Sequence, residues 1–119
     1  MNSGTDSFTP ESFVFDQWQL HNDGTLMHRG KVVHVPPKEL CVLRLLLGSA
    51  GRVVSKDLLL GAVWPETDAA EESLTRCIYV LRKLLKENRD FIATVYGQGY
   101  RFDCPVIAAA ERTNLPNSF

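Results

Sequence analysis

The stretch Glu71-Glu-Ser-Leu-Thr-Arg-Cys-Ile-Tyr-Val-Leu-Arg-Lys-Leu-Leu-Lys86 decides how this chain reads. Leu74, Ile78, Leu81 and Leu85 recur along it as one apolar stripe of an amphipathic helix. A rotation of about 100° per residue puts Arg76, Tyr79 and Lys83 on the opposite stripe, with Thr75, Arg82 and Lys86 on one flank. Between Ser73 and Lys86 the cations Arg76, Arg82, Lys83 and Lys86 meet no anion, while Glu66, Asp68, Glu71 and Glu72 gather just before them. Asp68, with Glu71 three residues on, predicts a capping box and a helix over about 71–87. After a polar break, Phe91 to Tyr96 reads as a strand, Gly97-Gln-Gly99 as a turn, and Tyr100 to Cys104 as a returning strand.

Working upstream, Pro65 to Ala70 is a short acidic loop. Before it, Ser55 predicts an N-cap, Asp57 suits the positive end of a helix, and Val54 with Leu59 suits a hydrophobic staple. That helix runs through Leu58, Leu59, Leu60 and Val63 to Trp64, where Pro65 stops it. An earlier helix begins at Pro36-Pro37, carries Leu40, Leu43, Leu46 and Leu47 at helical spacing, and ends near Gly48 and Gly51. Its broad apolar face predicts the central core helix. Phe13 to Leu20, Thr25 to His28 and Lys31 to Val35 read as strands, joined through the Asp23-Gly24 turn and an Arg29-Gly30 hairpin. The fold expected is α+β: an N-terminal four-stranded antiparallel sheet, three helices and a C-terminal β-hairpin. Residues 1–12 read as a flexible arm, 13–106 as the domain, and 107–119 as a flexible tail or linker.

Composition narrows the function. With 119 residues, one domain is the default. No apolar run approaches the roughly 20 residues of a membrane helix, and Met1 to Thr9 shows no basic and apolar leader pattern. The reading is therefore a protein without a membrane segment. Cys41, Cys77 and Cys104 form no CxxC or CxH pair, so neither a disulfide framework nor a metal site is expected. His21, His28 and His34 read as surface strand residues, and no nucleophile triad, HExxH or phosphate-loop string occurs. Gly97-Gln-Gly99 lacks the third glycine and following helix of a dinucleotide site. These readings point away from an enzyme and from any cofactor.

The net charge of −1 lacks the basic balance usual for nucleic-acid binders, but phosphates respond to local charge. Helix-end cations also complement the helix dipole, so Arg82, Lys83 and Lys86 fit a solvated face as well. Neither argument asks for Arg76 or Tyr79 on the open face. An α-helix fits the major groove, and a glycine-rich hairpin beside it can reach backbone or minor groove: a helix-turn-helix with a wing. Tyr79 suits a thymine methyl or a phosphate, or else packs beneath the wing, and the Trp64 indole N–H can reach a phosphate. The alternative is a winged helix that binds protein.

Phe13-Val-Phe-Asp16, Val35-Pro-Pro-Lys-Glu39, Val54-Ser55, Val63-Trp64, Leu81-Arg-Lys83 and Gly97-Gln-Gly-Tyr-Arg-Phe102, in this order, resemble the OmpR/PhoB-type winged-helix domain. Glu71 to Tyr79 and Tyr96 to Phe102 are similar to its ToxR/CadC-like branch. The resemblance implies a cytoplasmic, sequence-specific regulator of transcription on double-stranded DNA, often an activator. It implies that the third helix reads the major groove, that 97–99 is the wing tip, and that Ser73, Arg76, Tyr79 and Val80 face bases or phosphates. Arg82 falls where relatives brace an acidic residue or a phosphate. The 65–70 loop corresponds to a segment that touches RNA polymerase, and relatives often bind paired direct repeats as two copies. Two departures stand out: Pro36 takes the place of a capping threonine, and Tyr96 that of a wing arginine, so Gln98 or Arg101 must substitute. No receiver-like segment precedes the domain, so phosphorylation within this sequence is not expected to regulate it.

Overall fold

The computed structural model describes residues 11–66, 70–86 and 90–110. By their internal contacts the described residues divide into two compact units, those of 11–34 with 107–110, and those of 35–106.

The first unit is an antiparallel sheet of five strands in the order β4-β3-β2-β1-β8. Its strands are β1 (Glu11–Phe15), β2 (Trp18–Leu20), β3 (Leu26–His28), β4 (Lys31–Val33) and β8 (Ile107–Ala110). Register follows the alternation of side chains. Phe13 pairs with Leu20, Phe15 with Trp18, and Leu20 with Leu26, so one face carries the buried aromatic and aliphatic residues. Phe15, Trp18 and His28 stack along that face. The β3–β4 turn is the expected hairpin: Arg29 and Gly30 both adopt positive φ, as a two-residue primed turn requires. At the Asp23-Gly24 turn the Asp23 carboxylate accepts the Thr25 N–H at 2.9 Å, which holds its pKa below the ordinary carboxylate value.

The four N-terminal strands are present as expected; β8 adds a fifth and overturns a tail beginning at 107, and β1 opens at Glu11, inside the arm expected over 1–12. Ile107-Ala-Ala-Ala110 pairs antiparallel with β1, and the Ser12 hydroxyl donates to the Ala109 carbonyl at 3.2 Å. Alanine has a low strand propensity, so this strand comes from a partner 97 positions away in sequence rather than from local preference. Residues 1–10 of the expected arm and 111–119 of the expected tail lie outside the described residues.

The second unit holds α1 (Pro37–Gly48), β5 (Val53–Ser55), α2 (Lys56–Val63), α3 (Glu71–Leu84), β6 (Ile92–Val95) and β7 (Gly99–Phe102). Val42, Leu43, Leu46 and Leu47 of α1 are buried with Leu59 and Val63 of α2, Leu74, Cys77, Ile78 and Leu81 of α3, and Tyr100 and Phe102 of β7. α1 packs against both other helices and β7, the central place its broad apolar face predicts. Pro36 is its N-cap without a side-chain bond. Ser55 caps α2 as expected, its hydroxyl accepting the Leu58 N–H at 3.0 Å, with Val54 and Leu59 buried on either side. The start of α3 differs from the expected capping box. Its N-cap is Ala70, with no side-chain cap bond, and Asp68 lies outside the described residues.

β5, β7 and β6 form a three-stranded sheet in that order. The β6–β7 loop is Tyr96–Gln98, one residue earlier than expected, because Val95 pairs with Gly99 and the Gln98 N–H closes the turn on Val95 O at 2.9 Å. Gly97 has φ +76 at the second corner of this turn.

Candidate nucleic-acid interface

α3 sorts its side chains by helical period. Leu74, Cys77, Ile78 and Leu81 are inside, and Glu72, Thr75, Arg76, Tyr79 and Lys83 are exposed. Tyr79 is 59 % exposed, which sets aside its packing beneath the wing, and Lys83 Nζ lies 5.5 Å from its ring centroid. Thr75 Oγ1 donates to the Glu71 carbonyl at 3.1 Å. Its hydroxyl is thereby engaged within the helix, leaving a methyl as its main outward chemistry.

Two grooves run along this face. One of about 660 Å³ is lined by Glu71, Glu72, Thr75, Arg76 and Tyr79. The other, of about 310 Å³, is lined by Lys38, Glu39, Trp64, Glu72, Ser73, Arg76 and Cys77. Arg76 and Glu72 line both and so form the ridge between them. Trp64 of the α2 end and Ser73 and Arg76 of α3 share the second groove with Lys38 of α1. The Lys38 ammonium donates to the Val63 carbonyl at 3.0 Å and lies 5.7 Å from the Trp64 ring centroid. Val80 is half-buried, and Lys86 is exposed beyond the end of α3.

The wing stands against α3 through Arg82. Its Nε and Nη2 both donate to the Ile92 carbonyl, at 3.2 and 2.9 Å, and Nη2 also donates to Thr94 Oγ1 at 2.9 Å. The guanidinium is thus directed at β6, not toward the Arg76–Tyr79 stripe. Arg101 is bound to the Asp103 carboxylate through Nε and Nη2, which raises its pKa and offsets its charge. Gln98 is exposed at the wing turn, and Tyr96 beside it is 91 % exposed.

Sequence reasoning missed three participants. Lys56, the first residue of α2, reaches Glu71 Oε2 at 2.6 Å, and this bond raises the lysine pKa. Its backbone N–H donates to Gln98 O at 3.3 Å, so it ties α2 to the wing turn and to α3. No local signal gives this pair, since 15 residues separate the partners. Lys38 follows a proline pair, a pattern that predicts a helix start and nothing more. Glu72 was legible: positions 72, 76, 79 and 83 share one stripe by rotation alone.

A buried three-helix core, an exposed basic-aromatic helix face and an adjoining hairpin define a winged helix-turn-helix protein. A family profile described as "Transcriptional regulatory protein, C terminal" matches residues 30–102. The chain belongs to that family, the OmpR/PhoB type of winged-helix domain. It is similar to the transcriptional regulator HilA of Salmonella typhi, with 47 % identity over 110 residues, covering 91 % of this chain and 20 % of HilA. It also resembles the transcriptional activator CadC of Escherichia coli, at 31 % identity over 90 residues, covering 72 % of this chain and 18 % of CadC. This chain therefore spans about a fifth of the length of these relatives. Among solved structures it resembles the DNA-binding domain of CadC, with a TM-score of 0.74, 27 % identity, and coverage of 84 % of this chain and 98 % of that one. It also resembles DrrB, an OmpR/PhoB homologue from Thermotoga maritima, with a TM-score of 0.71, 30 % identity, and coverage of 77 % and 44 %.

Proposed function

We propose that residues 11–110, rather than 13–106, work as one domain that binds double-stranded DNA in a sequence-specific way and regulates transcription, as an activator. The observation that carries this reading is the open stripe of α3. Arg76, Tyr79 and Lys83 stand exposed opposite a fully apolar stripe, on a helix braced to a wing. In this reading α3 enters the major groove. Lys83, Lys86, Trp64 and Ser73 meet the phosphate backbone, and Thr75 and Tyr79 offer apolar contact to thymine methyls. Arg76 is the base-reading cation, bidentate to guanine. Val80 lies at the edge of this surface, and Gln98 and Arg101 supply the wing contacts. Arg82 serves first as the brace of the wing.

The names of HilA and CadC support the transcriptional role. RNA polymerase contact through the 65–70 loop, a second copy on paired direct repeats, and a cytoplasmic location extend the same proposal. Residues 67–69 of that loop lie outside the described residues. No helix among the described residues is long and apolar enough to cross a membrane. The proposed activity is binding rather than catalysis and uses no cofactor.

The test is fluorescence anisotropy with promoter and random duplexes across a salt series, for the wild type and Arg76→Ala. The logarithm of affinity should fall linearly with that of salt, by about 0.9 per phosphate neutralised. Arg76→Ala should cost about 1–3 kcal/mol of discrimination. Absence of binding at low salt by folded protein would move a protein-binding winged helix to first place.

A further inference from the structure

We infer that Glu72 reads sequence: its carboxylate accepts the exocyclic amine of a cytosine in the major groove, one or two steps from the base read by Arg76. This deepens the DNA-binding proposal and rests on it. The opening of α3 holds two adjacent acids in different situations. Glu71 is bound by Lys56 at 2.6 Å. Glu72 is exposed and has no ion-pair or hydrogen-bond partner among the described residues. It lies on the same stripe as Arg76, Tyr79 and Lys83, and with Arg76 it forms the ridge between the two grooves of that face. The surface proposed to meet DNA thus carries an exposed, unpaired carboxylate at the N-terminal end of its α3 stripe.

A carboxylate is an acceptor only. Brought among phosphates it is repelled unless the DNA offers a donor. In the major groove the donors are the amines of cytosine and adenine. Adenine sets its N7 acceptor beside its amine, which repels a carboxylate, whereas cytosine presents its amine without that neighbour. Four residues along a helix rise about 6 Å, and base steps along one strand are about 3.4 Å. The cytosine read by Glu72 therefore falls one or two steps from the guanine read by Arg76. The same charge weakens binding to sequences without that amine, so it sharpens specificity by repulsion as well as by contact. The competing role is structural, because an acid in the first turn favours the helix dipole.

The experiment is selection from a randomised duplex library by the wild type, Glu72→Gln and Glu72→Ala, each shown folded by circular dichroism, with thermal midpoints measured in parallel. The wild type should enrich a motif with a cytosine close to the guanine whose preference Arg76→Ala removes. Both Glu72 variants should lose the cytosine preference by about tenfold, keep the rest of the motif, and bind scrambled duplex more tightly. An unchanged motif at unchanged stringency, with or without a lower midpoint, overturns the inference and assigns Glu72 to the helix dipole. If the wild type enriches no motif, the DNA-reading function falls, and this inference with it.

Discussion

Arg82 on α3 grips the Ile92 carbonyl of β6 with two nitrogens of its guanidinium, at 3.2 and 2.9 Å, and so fixes the β6–β7 hairpin to α3. A bidentate fork of this kind is beyond a lysine. Arg82→Lys and Arg82→Ala should both lower stability, the alanine variant by about 1.5–3 kcal/mol, the usual range for a hydrogen bond from a charged group. Urea unfolding measures this. Lys83→Ala should instead leave stability nearly intact and reduce the salt slope of DNA binding by about 1. If Arg82→Ala changed only the salt slope, the brace would be a phosphate contact instead.

Gly99 lies so close to β5 that an added Cβ would stand 2.0 Å from Val54 O and 2.9 Å from Ser55 Cα. Those are backbone atoms, so relief means moving a strand. Gly99→Ala should cost about 3 kcal/mol or more, at or above the upper range for overpacking. Gly97 has open space around its Cβ position but a φ of +76. Gly97→Ala should therefore cost only about 1–2 kcal/mol, from left-handed strain alone. Denaturant midpoints of the two variants should fall in that order.

The α2 cap is a single hydroxyl, Ser55, on the Leu58 N–H at 3.0 Å. Ser55→Ala should lose about 1 kcal/mol, and Ser55→Asp should retain the cap. Thermal unfolding of the two variants against the wild type checks this, and equal losses would show that the hydroxyl does not cap.

Cys77 is buried on α3, and burial pushes its thiol up to about 12. At pH 8 a thiol reagent should modify the exposed Cys41 first and leave Cys77 unmodified until the chain unfolds. Because the folded value is raised, the neutral thiol favours the folded state fully below the ordinary thiol range. That advantage is lost as pH rises toward about 12. Cys77→Ala should flatten the alkaline fall in unfolding free energy, and an unchanged profile would assign that fall to other groups.

Local pattern settled much of this protein. The spacing of Leu74, Ile78, Leu81 and Leu85 fixed which face of α3 is buried, because the helical period leaves one solution. The same period put Arg76, Tyr79 and Lys83 outside, and put Glu72 with them. Ser55 and the Arg29-Gly30 turn were legible because their chemistry acts over a few residues. Tertiary structure decided what depends on partners remote in sequence. Ala108 and Ala109 carry no strand signal and become strand only by pairing with β1. Lys56 finds Glu71, and Lys38 finds Trp64, across chain that no period relates. The sequence offers Arg82 as a helix-end cation or a brace for an acid or a phosphate, and the packed chain gives it the Ile92 carbonyl of β6 instead. Periodicity fixes the direction a side chain takes from its own element, and only the packed chain decides what it meets there.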